Sequence, residues 1–279
     1  IKGALFTAFI LSLELLANHP QITYYAGICL LVLIIIEFIW SVKEKTIPKF
    51  LKTSALLVVP VIIAIGVNFG NLYTVYEYSK YSMRGKSDLV TENKNMSSGL
   101  DRDYIVHWSY GIDETMNLLI PDYKGGSSKP FDRNSETVKA LRQNNMASAS
   151  NQVMKYWGTQ PGTDGPHYMG AIIIFLFILG LIITKGREKW WLLVATILSI
   201  VLAWGKNFMP FTNLFIDFFP GYNKFRAVTM TLVIAQFCIP LLGALALRDI
   251  YESNLSRKEL FKGLKIALGI TGGILLLAL

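Results

Sequence analysis

The sequence predicts an all-α polytopic membrane protein with about seven transmembrane helices. Three observations predict it. Apolar residues make up 52% of the 279 and charged residues only 16%, with a mean hydropathy of +0.41. The apolar residues fall in blocks of roughly 17–25, the length that crosses a hydrocarbon core. Basic residues gather in short connections at alternate block boundaries, as they do where loops stay on the cytoplasmic side.

In chain order, the blocks predict helices over 3–17, 22–42, 53–71, 168–184, 190–204, 227–247 and 264–279. Three regions follow: 1–71 with the first three helices, a roughly 95-residue extracytoplasmic insert over 72–167, and 168–279 with the remaining four. The sequence opens on Ile1 and stops at Leu279 inside an apolar run, which predicts a piece of a longer protein. Cys29 and Cys238 lie in apolar blocks and read as small buried hydrophobes.

Orientation comes from the short loops. The segments 43–52, 185–189 and 248–265 hold twelve cations and five acids, a net of +7 against +8 for the whole chain. All three are expected in the cytoplasm. A basic balance of this origin reflects topology, and no loop carries the aromatic-interleaved basic stripe of a nucleic-acid binder, so none is expected as a partner. The turn 18–21, the insert and the segment 205–226 then face outward. The insert is neutral, with eleven cations and eleven acids, whereas 205–226 sets Lys206, Lys224 and Arg226 against Asp217 alone.

Polar groups inside the blocks are costly and therefore informative. Glu14 reads as a functional group or an internal ion-pair partner, and Glu37 as a residue at a helix margin. Asn68 and Gln236 read as interhelical hydrogen-bonding groups, and Pro60 and Pro240 as kinks. No regular series of acids and no inverted repeat of broken helices is visible, which counts against a secondary transporter.

The insert is expected to be of mixed or irregular structure. Residues 80–103 read as a loop or irregular strands, while Ile105–Trp108 and Met116–Ile120 fit either short strands or a helical turn. Ser135 caps a helix running toward Trp157. His107, Asp113 and Glu114 form a possible acid–base set, although solvated surface groups often produce that pattern. The three histidines are far apart, no zinc spacing occurs, and Walker, dinucleotide and nucleophile-elbow motifs are absent, so no metal site is expected.

The segment 205–226 is denser in signal. Phe208, Phe211, Phe215, Phe218 and Phe219 recur at helical spacing between Pro210 and Pro220, predicting a helix near 210–219 lying in the membrane interface. It would deliver Asn223, Lys224 and Arg226 to headgroup level, where Arg makes bidentate phosphate contacts and Lys adds a point charge. Two readings stand side by side: contact with lipid headgroups generally, and a dedicated anionic ligand.

Four ordered motifs carry a resemblance. They are Asn18-His19-Pro20-Gln21-Ile22-Thr23-Tyr24-Tyr25; Trp108-Ser109-Tyr110-Gly111 with Glu114 and Pro121; Tyr156-Trp157-Gly158 with Gln160-Pro161 and Gly165-Pro166; and Pro220-Gly221-Tyr222-Asn223-Lys224-Phe225-Arg226. Through them the chain resembles the YfhO-type bacterial membrane protein family in its Bacteroidetes-like form, itself similar to GT-C glycosyltransferases.

The resemblance implies a multi-pass protein of the bacterial inner (cytoplasmic) membrane, with the insert facing the periplasm or exterior. It implies transfer of a sugar from a polyprenyl-phosphate donor to an envelope glycan or lipid, among membrane lipids as partners. Lys224 and Arg226 match positions suited to the lipid phosphate, with His19 and Gln21 near the same cavity; Lys206 and Asn223 of the 205–226 segment join them as candidate phosphate- or substrate-binding residues. The catalytic acid of such enzymes follows the first membrane helix and is expected upstream of Ile1, leaving Glu114 as a weak catalytic candidate. No cofactor is expected, and a divalent cation stays compatible with the chemistry. A transporter or flippase of a lipid-linked or anionic substrate, and a non-enzymatic envelope assembly protein, are the alternatives.

Overall fold

The computed structural model describes residues 2–85, 99–165, 167–252 and 255–278. Eleven α-helices occur among them: α1 (Lys2–Leu16), α2 (Pro20–Lys43), α3 (Ile47–Val67), α4 (Phe69–Lys80), α5 (Arg102–Ile105), α6 (Glu136–Gln143), α7 (Ala171–Ile183), α8 (Glu188–Ala203), α9 (Met209–Phe218), α10 (Leu232–Tyr251) and α11 (Arg257–Leu277). No β-strand is present among the described residues; one isolated antiparallel bridge joins Pro130 and Met154.

The chain is a multi-pass membrane protein. Among the described residues, four helices are long and apolar enough to cross a membrane: α2, α3, the run Val228–Tyr251 that contains α10, and α11. A fifth span results if α8 and Gly205–Phe218, which meet at a 107° bend, are taken as one broken span. α7 is equally apolar but has only 13 residues.

Several boundaries fall outside the apolar blocks, for reasons of capping. α3 starts at Ile47 because Pro48 occupies its first turn, where a missing N–H costs nothing. α11 starts at Arg257 on a capping box: Glu259 N donates to Ser256 Oγ at 3.2 Å and Ser256 N donates to Glu259 Oε2 at 2.9 Å. The basic residues from 257 to 265 therefore ride on a helix. α10 continues to Tyr251, placing Arg248 in its last turn, where a cation complements the helix dipole.

The insert is helical where it is ordered into elements. α4 occupies its first residues. The strand option at Ile105–Trp108 and Met116–Ile120 gives way to helical turns: α5 ends at Ile105, and a 3-10 turn covers Asp113–Leu118. Ser135 caps α6 by accepting from Val138 N at 3.3 Å, but the helix stops at Gln143 and a 3-10 turn at Ala147–Asn151 follows. Residues 86–98 of the 80–103 segment, and Pro166 of the Gly165-Pro166 pair, lie outside the described residues.

The described chain divides into two compact units, Ile1–Ile105 with Asn213–Arg226, and Val106–Thr212 with Ala227–Leu279. In the first, α3 packs along α1 and against α2. Buried Asn68, at the break between α3 and α4, donates from Nδ2 to Ser12 O at 3.1 Å and Ala64 O at 3.0 Å. It stitches two apolar helices with a hydrogen bond that lipid cannot supply. Thr23 Oγ1 on α2 donates to Glu14 Oε1 on α1 at 2.8 Å.

In the second unit, α10 packs on α7 and α8, and α7 packs on α11. Small residues allow it: a Cβ on Gly180 would lie 2.8 Å from Leu242 O, and one on Gly263 would lie 2.6 Å from Ile183 Cγ2. Such close approach is how apolar helices associate where water provides no drive. Ser199 Oγ donates to Thr231 O at 2.8 Å and Thr231 Oγ1 to Ser199 O at 2.9 Å, a reciprocal clasp from α8 to the start of α10.

Candidate functional site

The cationic turn in the first unit begins where α9 ends. Pro220 has no N–H to continue a helix, and Gly221, at φ +77°, turns the chain as only glycine does easily. Aromatic packing then anchors the turn. Phe215 stacks on Phe219 at 5.1 Å between centroids and meets Tyr222 at 5.6 Å, and Tyr222 is buried. From α2, Tyr24 packs on Phe225 at 4.9 Å and donates its hydroxyl to Pro220 O at 2.8 Å.

Asn223, Lys224 and Arg226 follow in succession, the first two half-buried and Arg226 exposed. Arg226 O accepts from Gln21 Nε2 at 2.5 Å, and Gln21 Nε2 also reaches Tyr25 Oη at 2.9 Å. The guanidinium lies over the Tyr104 ring at 5.3 Å and donates to its hydroxyl at 2.5 Å. That contact orients the group while leaving most of its N–H donors for a further partner. Lys224 Nζ donates to Arg84 O at 2.8 Å, and Arg84 Nε returns a bond to Lys224 O at 2.9 Å.

Asp217, the one acid of the segment, is claimed elsewhere. Arg102 pairs with it and donates to Asn213 Oδ1 at 2.8 Å. No ion pair among the described residues involves Lys224 or Arg226. Among the described residues, therefore, the positive charge of this aromatic-anchored turn has no acidic partner.

The second unit holds a different arrangement, a buried carboxylate. Glu114 is 0% exposed. Its Oε1 accepts from Tyr156 Oη at 2.6 Å and lies 3.4 Å from Gln160 Nε2. Its Oε2 accepts from Gly111 N at 2.6 Å and lies 3.2 Å and 3.4 Å from Thr159 Oγ1 and N. Each of the five is a donor group, the single Thr159 hydroxyl proton being shared between Glu114 and Ser109 O at 3.1 Å. Glycine is required for the fit: a Cβ on Gly158 would stand 2.5 Å from Glu114 Oε1, and one on Gly111 would stand 2.9 Å from Oε2. Lys206 joins from the other side of Thr159, donating from Nζ to Thr159 O at 3.0 Å and from N to Ser109 Oγ at 2.8 Å.

Burial shapes the titration of the surrounding groups. It pushes the Tyr156 hydroxyl well above its ordinary value, and the hydrogen bond to Glu114 adds to that. The Tyr110 hydroxyl is raised for the same first reason. Burial holds His167 below the ordinary histidine value, with the charge of Glu114 pulling the other way.

Comparison with protein families, curated proteins and solved structures finds no match for this chain.

The expected residues thus fall into two groups. Gln21, Asn223, Lys224 and Arg226 belong to the first unit, where Gln21 holds the Arg226 backbone and Asn223 O accepts from Leu100 N at 2.9 Å. His19 is there too, but as the N-cap of α2: its Nδ1 accepts from Ile22 N at 3.3 Å, which leaves Nε2 as the second ring position. Lys206 and Glu114 belong to the second unit.

The acid–base trio does not converge. His107 is exposed and packs edge-on against Trp108 at 4.8 Å, Asp113 pairs with buried Lys124, and Glu114 is enclosed. For Glu114 to take a proton from an acceptor, it would have to give up one of its two 2.6 Å bonds. Tyr104, Arg84 and Arg102 were not anticipated. The run Asp101-Arg102-Asp103-Tyr104, charged residues around an aromatic, is the signal that marks two of them. No cluster of three or more His, Cys, Asp or Glu side chains fit for a metal occurs among the described residues.

Proposed function

We propose that the chain is the membrane-embedded core of a GT-C-like glycosyltransferase of the bacterial cytoplasmic membrane. In this reading about seven helices cross the bilayer, counting α1, α7 and α8 with the four long spans. The 72–167 insert and the 205–226 segment face outward, and the three basic loops face the cytoplasm. The donor is a polyprenyl-phosphate-linked sugar and the acceptor an envelope glycan or lipid.

One observation carries the reading: among the described residues Lys224 and Arg226 have no acid partner on an aromatic-anchored turn, with the segment's own acid diverted to Arg102. A lipid phosphate arriving at headgroup level meets a pre-oriented guanidinium, whose planar fork matches two phosphate oxygens. As the sugar leaves, negative charge grows on that phosphate, and fixed cations stabilise it. Tyr104 and Gln21 act as positioning residues for Arg226. Glu114 positions the loop that carries Thr159 and, in this reading, takes no part in proton abstraction.

The test is sugar transfer by the full-length protein in proteoliposomes, with Arg226→Ala beside wild type. Loss of one bidentate charged contact, about 1.5–3 kcal/mol, predicts a fall in kcat/KM of roughly 10- to 100-fold. Full activity in the variant removes the phosphate-holding role.

A flippase is the second reading, favoured by the 107° break between α8 and Gly205–Phe218 and by Glu14 Oε2, which is buried without a hydrogen-bond partner. Broken helices and intramembrane acids are features of transport sites. Movement of labelled lipid across the bilayer without sugar transfer would favour that reading.

A further inference from the structure

Two of the basic connections, 185–189 and 248–265, border a cavity. It has a volume of about 350 Å³ and lies where the end of α7 meets the first turns of α11. Its walls differ in chemistry. Ile182, Ile183 and Ile266 supply an apolar wall, and Lys185, Lys189 and Lys262 a cationic rim.

One acid, Glu259, also lines it. Its Oε2 is occupied by the capping box, accepting from Ser256 N at 2.9 Å and Oγ at 2.7 Å, and its Oε1 is 3.9 Å from Lys185 Nζ. Lys189 Nζ donates to Leu181 O at 3.1 Å, which closes the end of α7 and fixes that ammonium at the rim. The cavity also holds a polar group with nothing to bind. Thr184 is 1% exposed and lines the cavity, and its buried Oγ1 has no hydrogen-bond partner among the described residues. A buried hydroxyl in that state is costly, and a ligand oxygen would relieve it.

We infer that this cavity is a binding site for the headgroup of an anionic phospholipid, with phosphate at the lysine rim and glycerol near Thr184. The apolar wall continues into the spans and would receive the first part of the acyl chains. A basic recess between membrane helices, polar at its mouth and apolar below, matches a lipid better than a soluble anion. The volume suits a headgroup and its glycerol. The site lies within the second unit and does not rest on the proposed activity.

The test uses the full chain, purified in detergent and delipidated. It is titrated with dioleoylphosphatidylglycerol and, separately, with dioleoylphosphatidylcholine, and bound lipid is counted by native mass spectrometry. The anionic lipid should bind about tenfold more tightly. Lys189→Gln with Lys262→Gln should remove that preference, and Thr184→Val should weaken binding about threefold while Thr184→Ser retains it. Lys185→Gln, at a side chain 71% exposed, alters no packing and carries the test if the double variant does not fold. Equal affinity for the two lipids, or an unchanged preference in the lysine variants, overturns the inference. So does complete displacement of the lipid by millimolar inorganic phosphate, which would identify a site for a soluble anion.

Discussion

Removing the Glu114 carboxylate should destabilise the second unit by more than any single hydrogen bond is worth. In Glu114→Ala the Gly111 N–H and the Tyr156 hydroxyl each lose a 2.6 Å acceptor. Tyr156 is half-buried and can turn toward water, but the buried Gly111 N–H cannot. An unsatisfied buried donor costs about 1–3 kcal/mol, and hydrogen bonds to charged groups about 1.5–3. Adding one of each and subtracting partial rehydration gives about 3–4 kcal/mol, a sizeable share of a typical 5–15 kcal/mol stability. Glu114→Gln keeps one acceptor oxygen and turns an amide toward the other donor, so about half that loss is expected.

Reversible unfolding in mixed micelles, followed by tryptophan fluorescence, reads the difference. Trp204 reports locally, since its Nε1 donates to Thr115 Oγ1 at 2.9 Å, one residue from Glu114. A double-mutant cycle with Tyr156→Phe should give a coupling of about 1–2 kcal/mol. If Glu114→Ala lies within about 0.5 kcal/mol of wild type and the coupling vanishes, the hub does not hold the insert together.

Other outcomes follow from the same geometry. His167 has a folded-state pKa below its unfolded value, so its contribution is present above about pH 6.5 and is lost as pH falls below it. His167→Gln should flatten that acid-side slope in a pH series of unfolding midpoints, and an unchanged slope would exclude His167 as its source. Gly180→Ala places a Cβ 2.8 Å from the Leu242 carbonyl, where no side chain can give way. A loss of about 1–3 kcal/mol is expected in the same assay. Tyr104→Phe removes the hydroxyl but keeps the ring under Arg226, so the transfer assay should show a smaller loss than Arg226→Ala, of about threefold. A cysteine at Ser148, an exposed position of the insert, should be labelled by an impermeant maleimide in intact cells; protection would invert the topology.

The four long apolar helices were legible because lipid imposes one demand, a continuous apolar run, on a helix that crosses it. Their ends were less so. Pro48 and the Ser256–Glu259 box lie among charged residues, beyond the reach of a hydropathy argument, yet they decide where α3 and α11 begin. α9, Met209–Phe218, was legible to within one residue at each end because two prolines and an aromatic period frame it. The partners of the candidate site residues were not. Arg102 neutralises Asp217 across a separation of 115 residues, and two of the five donors to Glu114 are backbone N–H groups, which carry no residue-type signature. Sequence motifs named the right neighbourhood around Glu114, but only the fold distinguishes an enclosed acceptor from a reactive acid.

The 13 residues of α7 have a consequence for the surrounding bilayer. At about 1.5 Å per residue they reach about 20 Å, while a hydrocarbon core measures about 30 Å. α10, packed against it, has 20 residues and reaches about 30 Å. In the proposed topology, where α7 crosses the bilayer, the protein presents unequal heights on one side, and lipid beside α7 thins or tilts to cover it. Reconstitution in bilayers of graded acyl length should favour shorter chains than the long helices alone would select, making membrane thickness a variable to which this fold responds.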